Sequence, residues 1–400
     1  MQYSTFAAID IGSYDVILEI FEISKKQGIR SVDKICHRME LGKDTYTLGK
    51  IRPEMEEELC RVLADFVRIM EGYRVDDYRA AASSAISEAS NSLYVLGKIH
   101  QLTGLSVTVL SNSEQRFLSY KALAAMEDNF NKIIEKGTAI LDLDGGSFQI
   151  SLFDKDALVT TQNIRMGSLR IRERLAGIQS ETEHYEEMVE ELIWNEVSSF
   201  KKMYLKDRKI ENIMLIGDVF TDSVYQNIEE KTTKIISREN FNTWYEKIIR
   251  QSPMELAVKL GIPLENASLM YPSAVIYKCL IDMMGAEHIW IPGVHMTRGI
   301  AYEYAEQMKL LKGGHNFEND ILMAAKNIGK RYAVNRPHVQ NLEMTALAMF
   351  DATKKMHGMK ERERLLLQMA VMLHDVGKYI SFNNVADSSY NIIMSNEIIG

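Results

Sequence analysis

The sequence has few cysteines, no excess of positive charge and no long apolar run. Its three cysteines, Cys36, Cys60 and Cys279, are far apart and match no zinc-ligand spacing, so we expect a protein of the reducing cytoplasm. The formal net charge of −8 disfavours nucleic acid and acidic membrane surfaces as partners. No apolar span reaches the thickness of a bilayer and the N-terminus shows no signal segment, so we expect neither membrane insertion nor secretion.

The order of strand-like and helix-like segments indicates three domains. A chain of 400 residues is expected to form two or three of them. Strands and helices alternate, the pattern restarts at residue 139, and such alternation is typical of α/β folds. Beyond Gly313 and Gly314 the pattern is helical. We therefore predict domains at residues 1–125, 126–312 and 313–400.

One short pattern occurs twice. Residues 7–20 read AAIDIGSYDVILEI and residues 139–152 read AILDLDGGSFQISL. Each copy places Asp, Gly and Ser in a turn after a strand. Glycine lets backbone N–H groups approach an anion, serine adds a hydroxyl donor and the carboxylate can hold a metal ion. Two such turns in successive α/β halves predict two lobes facing a cleft, with a phosphate chain and a metal held between Asp10 and Asp142.

Several motifs, in order along the chain, resemble the exopolyphosphatase and guanosine pentaphosphate phosphatase family. They are AIDIGSYDVIL (8–18), AAASSAISEASN (80–91), LSNSEQRFLSY (110–120), LDLDGGSFQISLF (141–153) and NIRMGSLRIRERL (163–175). The third is similar to a family segment of the form S-G-x-E-E-A-R-L. The resemblance implies an α/β fold of two actin-like ATPase (ribonuclease H-like) lobes around a cleft, followed by an all-α HD-like domain. It also implies Mg²⁺ or Mn²⁺ as cofactor and allows a homodimer.

The resemblance implies a site built on the two turns. The reaction would be metal-assisted attack of water that releases terminal phosphate from inorganic polyphosphate or guanosine pentaphosphate. The implied phosphate-binding residues are Gly12, Ser13, Gly145, Gly146, Ser147 and Arg170. The implied metal ligands are Asp10, Asp142 and Glu114, and the implied catalytic residues are Glu114, Asp142 and Gln149.

Two of these assignments also have a simpler interpretation. Glu114 would fit a solvated glutamate in the first turn of a helix, where the macrodipole favours an acid. The cluster of Arg165, Arg170, Arg172 and Arg174 would fit either an anion channel or a helix face with ion pairs, and the family match favours Arg170.

Several departures from the family fall on its chemistry. Gln149 replaces the Glu that positions or deprotonates the water, and an amide cannot accept that proton. Ser87 replaces an Arg that clamps phosphate, which removes a bidentate cation. Tyr14 and Asp15 replace Asn-Ser in the first turn, and Asp144 replaces a glycine in the second. A carboxylate about 4 Å from phosphate costs roughly 1 to 4 kcal/mol unless a metal ion intervenes.

These departures leave more than one function open. The leading hypothesis is a slower or rearranged phosphohydrolase. A carboxylate such as Asp144 or Asp15 would replace the missing base, and Asp144 is the more interesting candidate because it lies in the same turn as Gln149. The alternative is a catalytically degenerate sensor that binds polyphosphate or an alarmone nucleotide. An actin-like ATPase or sugar kinase is permitted by the turns but is not suggested by residues 80–91 and 110–120. IGDV (216–219) also stands where the family has a second Gly and a Thr.

The helical end carries His338 on one predicted helix and His374 with Asp375 on the next. This resembles the start of an HD-type metal phosphohydrolase domain, and imidazole with carboxylate suits divalent metals. The later Asp of such a site and the paired histidines of the family cannot be assigned. The sequence therefore favours a structural role, in which His374 and Asp375 hydrogen-bond across a helix junction, over an independent metal site. The resemblance also leads us to expect that the helical region continues beyond Gly400.

Overall fold

A computed structural model describes residues 3–126, 130–155, 157–176, 185–227, 234–311 and 315–396. The strands are β1 Ser4–Ile11, β2 Asp15–Ser24, β3 Gly28–Arg38, β4 Asp77–Ala82, β5 Val107–Val109, β6 Thr138–Leu143, β7 Phe148–Asp154, β8 Ala157–Ile164, β9 Asn212–Ile216, β10 Ile235–Ser237 and β11 His288–Trp290. The α-helices are α1 Leu41–Leu48, α2 Pro53–Gly72, α3 Ser84–Ser87, α4 Ser92–Thr103, α5 Asn112–Met126, α6 Phe130–Glu135, α7 Ser168–Leu175, α8 Tyr185–Phe200, α9 Val219–Asn227, α10 Arg238–Ile249, α11 Pro253–Leu260, α12 Leu264–Met284, α13 Met296–Gln307, α14 Phe317–Arg331, α15 Arg336–Ala352, α16 Lys354–His357, α17 Glu361–Leu373 and α18 Val385–Ser395. A π-helical turn, Lys201–Leu205, continues α8, and a 3₁₀ turn, Val376–Tyr379, follows α17.

The strands form two sheets whose first five strands follow the same order. The first sheet runs β3-β2-β1-β4-β5 and the second runs β8-β7-β6-β9-β11-β10. In each sheet an antiparallel hairpin, β1 with β2 or β6 with β7, adjoins a parallel strand, β4 or β9. Parallel neighbours need a long crossover, and helices provide it. The repeat in the sequence is therefore a repeated α/β unit, which confirms the predicted α/β class.

Helix α2, Pro53–Gly72, shows how the local sequence determines the fold. Pro53 occupies the first turn, where its missing N–H has no intrahelical partner to lose. Leu59, Leu63, Phe66 and Met70 recur at helical spacing and are buried against the first sheet. The helix thus covers one face of that sheet and helps to fix the position of the first turn.

Helix α13 returns the chain to the first sheet. Its residues Ile300, Ala301 and Tyr304 are buried with Phe6 and Ala8 of β1. The rings of Phe6 and Tyr304 stack with 4.1 Å between their centroids. The predicted second domain, residues 126–312, includes this helix, which packs on the first sheet; the predicted domain bounds stay a prediction.

Gly299 of α13 lies against the backbone of α5. A Cβ at this position would collide with the carbonyl group of Leu118, and a backbone group cannot turn away as a flexible side chain can. We expect Gly299→Ala to lower the free energy of unfolding in urea by about 1 to 3 kcal/mol, the usual cost of overpacking. The matched control is Gly97→Ala in α4, where a Cβ meets nothing; it should raise that energy by about 0.5 to 1 kcal/mol. A similar change in the free energy of unfolding of both variants would show that α13 and α5 are not closely packed at Gly299.

From Phe317 onward the described part of the chain is helical. Helix α14 packs on β8, and Asn327 donates a hydrogen bond to the carbonyl oxygen of Leu158 at 3.0 Å. A small core joins α14, α15, α17 and α18 through buried residues that include Ile328, Val339 and Leu373. Among the residues described, no helix is long and apolar enough to cross a membrane.

Candidate active site

A cleft of about 270 Å³ lies where the two repeated turns face each other. The β1–β2 hairpin contributes Asp10, Gly12 and Asp15, and the β6–β7 hairpin contributes Asp142 and Asp144. Asp10 and Asp142 lie near the carboxyl ends of the central strands of the two sheets. The structure therefore brings together the two aspartates that were predicted as metal ligands from turns 132 residues apart.

Asp10 and Asp142 each carry a buried carboxylate oxygen without a hydrogen-bond partner. These oxygens are Oδ1 of Asp10 and Oδ2 of Asp142. Burial raises the pKa of Asp10 well above its usual range, and repulsion by Asp15 and Asp144 raises it further. Burial likewise raises the pKa of Asp142 to about 7. A buried carboxylate is costly unless a proton or a cation neutralises it, so each of these two aspartates has an oxygen for which a bound cation would be favourable.

Asp144 is held by its own turn and by α5. Its Oδ1 accepts a hydrogen bond from the backbone N–H of Gly145 at 2.5 Å, and its Oδ2 accepts one from Nε2 of Gln115 at 3.2 Å. Burial raises the pKa of Asp144. The carboxylate therefore occupies the backbone N–H of Gly145, and Asp144 lines the cleft as an acceptor.

Gln115, rather than Glu114, reaches the cleft from α5. The Glu114 carboxylate is exposed and accepts hydrogen bonds from the backbone N–H of Ser111 at 2.9 Å and from its hydroxyl at 2.8 Å. Glu114 thus has the first-turn position that the sequence also allowed, and its assignment to catalysis and metal binding stays a prediction. Sequence reasoning missed Gln115, although it matches the second Glu of the family segment S-G-x-E-E-A-R-L.

Gln149 lies beside the cleft in the second sheet. It pairs directly with Asp142 in the antiparallel register of β6 and β7, so both side chains leave the same face of the sheet. Its side chain is buried, it does not line the cleft, and its Oε1 lacks a hydrogen-bond partner. The structure therefore places Gln149 next to a cleft residue, and its catalytic role stays a prediction.

A cluster of hydroxyl groups joins the first turn to the second. The hydroxyl of Tyr46 lies 2.7 Å from Oγ of Ser13 and 2.9 Å from Oγ of Ser84. Gly146 packs against this cluster, and a Cβ there would collide with the Tyr46 hydroxyl. Gly12 lines the cleft. The other predicted phosphate-binding residues do not line the cleft: Ser13, Gly145, Gly146, Ser147 and Arg170. Their role in binding phosphate stays a prediction.

The two arginines of α7 that are not exposed are engaged in ion pairs between the lobes. Arg170 donates to both carboxylate oxygens of Glu88 at 2.9 and 3.0 Å and to the carbonyl oxygen of Gly146. Arg172 donates to both carboxylate oxygens of Glu40 at 2.7 and 2.8 Å. This arrangement agrees with the ion-paired helix face that the sequence left open, and it holds the two turns together.

Lys34 and Arg38 of β3 place positive charge at the cleft. The guanidinium of Arg38 lies 3.6 Å from the Asp15 carboxylate and donates a hydrogen bond to the Tyr14 carbonyl oxygen. Burial raises the pKa of Asp15 to about 6, and the Arg38 charge opposes that rise. Sequence reasoning missed both cations because it did not predict β3.

Asp218 is a buried acid behind the cleft, next to cleft residue Gly217. Its Oδ1 accepts hydrogen bonds from the backbone N–H of Thr221 at 3.1 Å and from the Tyr277 hydroxyl at 3.3 Å. Its Oδ2 has no hydrogen-bond partner. Burial raises the pKa of Asp218 to about 7, and these hydrogen bonds only partly oppose the rise.

Asp218 should make the stability of the protein depend on pH. Its pKa is higher in the folded chain, about 7, than in the unfolded chain, where it is near 4. Its favourable contribution is therefore complete below pH 4 and is lost as the pH rises to 7. We expect the free energy of unfolding of the wild type to fall by up to about 1.4 kcal/mol per pH unit more than that of Asp218→Asn in this interval. Urea denaturation at pH 5 and pH 7 measures this; equal slopes for the two proteins would contradict it.

Comparisons with protein families match almost the whole chain. Residues 20–308 match the Ppx/GppA phosphatase family. Residues 322–400 match domain III of the Ppx/GppA phosphatases. The first match contains every residue of the second turn and all of the cleft residues from β3.

Two curated relatives are similar at low identity. A guanosine-5′-triphosphate,3′-diphosphate pyrophosphatase of Vibrio atlanticus is 19% identical over 402 residues, which covers 99% of this chain and 77% of the relative. A bifunctional 3-dehydroquinate synthase/phosphatase of Fusobacterium nucleatum is 21% identical over 310 residues, which covers 71% of this chain. The chain matches only 44% of the length of that bifunctional relative.

Solved structures show the same fold. The exopolyphosphatase of Cytophaga hutchinsonii superposes with a TM-score of 0.67 at 17% identity, over 76% of this chain and 98% of that one. A Ppx/GppA family member of Aquifex aeolicus superposes with a TM-score of 0.62 at 18% identity, over 77% of this chain and 99% of that one. These likenesses confirm the predicted fold class of two actin-like lobes. In this chain the helical domain comes after the two lobes.

Proposed function

The chain belongs to the Ppx/GppA phosphatase family, and we propose that it hydrolyses phosphoanhydride bonds in the cleft between its two turns. The substrates would be inorganic polyphosphate or guanosine pentaphosphate, each losing its terminal phosphate. The observation that carries this proposal is the pair of buried, unpartnered oxygens of Asp10 and Asp142. The two aspartates lie near the ends of equivalent strands of the two lobes and line a cleft that also contains Lys34 and Arg38.

The donor set of the cleft fits Mg²⁺ or Mn²⁺. Both are hard cations that prefer carboxylate oxygens, and Mg²⁺ is commonly held by one or two carboxylates together with substrate phosphates. Asp10 and Asp142 would hold the ion with their unpartnered oxygens. When bound, the ion would offset the charge of the phosphates and polarise a phosphoryl oxygen.

The protein's own residues would bind the phosphate chain and receive the proton. Lys34 and Arg38 would attract the anionic chain. A water oxygen would attack the terminal phosphorus, and the bridging oxygen would leave with its electron pair on the penultimate phosphate. Asp144 would accept the water proton, because it is a carboxylate in the second turn whose position Gln115 fixes by a hydrogen bond.

A second candidate function is binding without turnover. Amides, Gln115 and Gln149, stand at two positions where the matched family segments have glutamates, and neither can take a proton from water. Asp144 also occupies the N–H of Gly145, and Glu88 neutralises Arg170. A sensor that binds polyphosphate or an alarmone nucleotide carries out no proton transfer, so amides at these two positions would not impair it.

Phosphate release from matched substrates separates the two functions. We expect release from long-chain polyphosphate or guanosine pentaphosphate in the presence of Mg²⁺ or Mn²⁺, and little from p-nitrophenyl phosphate, which lacks an anhydride. Excess EDTA should abolish it. Saturable binding of the phosphate chain without release above the protein-free background would favour the sensor instead.

A further inference from the structure

Three side chains with metal-binding atoms meet in the helical domain, away from the cleft. His338 lies in the first turn of α15, His374 follows the last residue of α17, and Asp375 is the next residue. One ligand atom from each lies within 4.8 Å of the other two. We propose that these three residues form a second metal site, separate from the cleft, for a divalent transition-metal ion such as Zn²⁺.

The hydrogen bond of His374 prepares its other ring nitrogen for a metal. Nδ1 of His374 lies 2.7 Å from the carbonyl oxygen of Val371. A carbonyl oxygen only accepts, so Nδ1 carries a proton, and in the neutral tautomer Nε2 presents its lone pair. A carbonyl partner of this kind fixes the tautomer and orientation of histidines that ligate metals. His374 thus has the arrangement of a metal ligand without any change in its ring position.

The free nitrogen of His374 faces a carboxylate oxygen rather than a donor. Nε2 lies 3.3 Å from Oδ1 of Asp375, while Oδ2 of Asp375 accepts a hydrogen bond from Nζ of Lys378 at 2.6 Å. In the neutral tautomer, Nε2 and the Oδ1 atom are both acceptors, so their approach is unfavourable unless a proton or a metal cation lies between them. A metal ion would satisfy both atoms at once, and the His338 ring, 5.7 Å away between centroids, would supply a third ligand.

The segment that carries His374 and Asp375 is held in place by α18. The Ser389 hydroxyl donates to the carbonyl oxygen of His374 at 2.7 Å and accepts from the N–H of Gly377 at 2.9 Å. A Cβ at Gly377 would collide with the backbone of α18. Two of the three ligands are therefore positioned by packing, which lowers the conformational cost of binding an ion.

The chemistry of the ligands selects the class of metal. Two imidazoles and a carboxylate suit Zn²⁺, Fe²⁺ and related ions, whereas Mg²⁺ prefers oxygen ligands and retains water. His338 is exposed and His374 is about one third exposed, so the remaining coordination positions open to solvent. Three protein ligands and open positions are typical of exchangeable metal sites that admit water or an anionic oxygen.

Cobalt binding to the full chain tests the site without any measure of activity. The protein is stripped with chelator and titrated with Co²⁺, whose visible absorption reports nitrogen ligands, and with Zn²⁺ in competition. The background carries Asp10→Asn and Asp142→Asn, so the cleft does not contribute. We expect one Co²⁺ per chain, and binding at least about 100-fold weaker when His338 is changed to Ala.

The folded state of His338→Ala and one control variant complete the test. His338→Ala should remain folded, because its side chain is exposed and its backbone N–H keeps its bond to Asn335. His357→Ala is the matched control in the same domain: this ring bonds to the Phe350 carbonyl oxygen, and its loss should leave Co²⁺ affinity unchanged. The site is excluded if His338→Ala binds Co²⁺ as tightly as its parent, or if the parent binds none. Neither result depends on whether the cleft hydrolyses phosphate.

Discussion

An Asp10→Asn variant is expected to lose at least about 100-fold in metal-dependent phosphate release and to become more stable than the wild type in the absence of metal. The two effects have one cause. The carboxylate of Asp10 is buried with an unpartnered oxygen, a position that is unfavourable for the empty protein and favourable for a bound cation. Asparagine has nearly the same shape but no charge, so it removes the cost and the ligand together.

The sign of the stability change follows from the pKa of Asp10. Burial raises this pKa in the folded chain well above its value in the unfolded chain. The favourable contribution is therefore present at low pH and is lost as the pH rises. At pH 8 the metal-free wild type carries the free-energy cost of either burying the Asp10 charge or keeping the carboxyl protonated, whereas the variant carries neither. Added Mg²⁺ should stabilise the wild type more than Asp10→Asn, because the ion binds the folded wild type preferentially.

The measurement pairs phosphate release with urea denaturation at pH 8, each with EDTA and with Mg²⁺. The control is Asp207→Asn, which removes the same charge at an exposed position and should change neither quantity. A variant that released phosphate as fast as the wild type would show that Asp10 does not hold the metal.

A Gln149→Glu variant is expected to raise the rate of phosphate release by about 10- to 100-fold. A positioned general base contributes a factor of roughly 10² to 10⁴ in rate. Asp144, as the proposed proton acceptor, already contributes part of this factor, so the expected gain from a second carboxylate is smaller. Gln149 pairs directly with Asp142 and leaves the same face of the sheet, so a carboxylate there would lie beside the proposed metal. The same buried charge should lower stability in the absence of metal.

Single-turnover phosphate release measures this gain most clearly. The control is Gln162→Glu on the neighbouring strand β8. Gln162 pairs with Ile150 and so leaves the opposite face of the sheet from Gln149, and the added charge should leave the rate unchanged. Suppose that Gln149→Glu releases no more phosphate than the wild type while both proteins bind the phosphate chain equally. The glutamine that stands at residue 149 in place of the family's glutamate would then not be what limits the rate.

The repeated turns could be predicted from the sequence because their determinants are local. Each Asp-Gly-Ser pattern follows a continuous apolar strand, and the structure places Asp10 and Asp142 in one cleft as expected. Strand β3 was missed because it is an edge strand with charged residues such as Arg30 and Lys34 on an exposed side, which weakens the apolar signal. The cations Lys34 and Arg38 were missed with it.

Two other features depend on packing that the sequence does not reveal. Glu114 and Gln115 are consecutive on α5 and therefore point about 100° apart, so a motif alone does not tell which of them reaches the cleft. Helix α13 has buried faces that fit either sheet, and its contact with Phe6 through Tyr304 is visible only in three dimensions. Sequence reasoning consequently kept the helix with the residues that precede it.

The most direct test compares the wild type with Asp142→Asn in Mg²⁺-dependent release of phosphate from long-chain polyphosphate and guanosine pentaphosphate. Binding of each substrate is measured on the same samples. We expect release by the wild type that EDTA abolishes, and release at least about 100-fold slower from Asp142→Asn. Equal background release from both proteins, with the substrate still bound by the wild type, would contradict hydrolysis in this cleft and leave a binding protein.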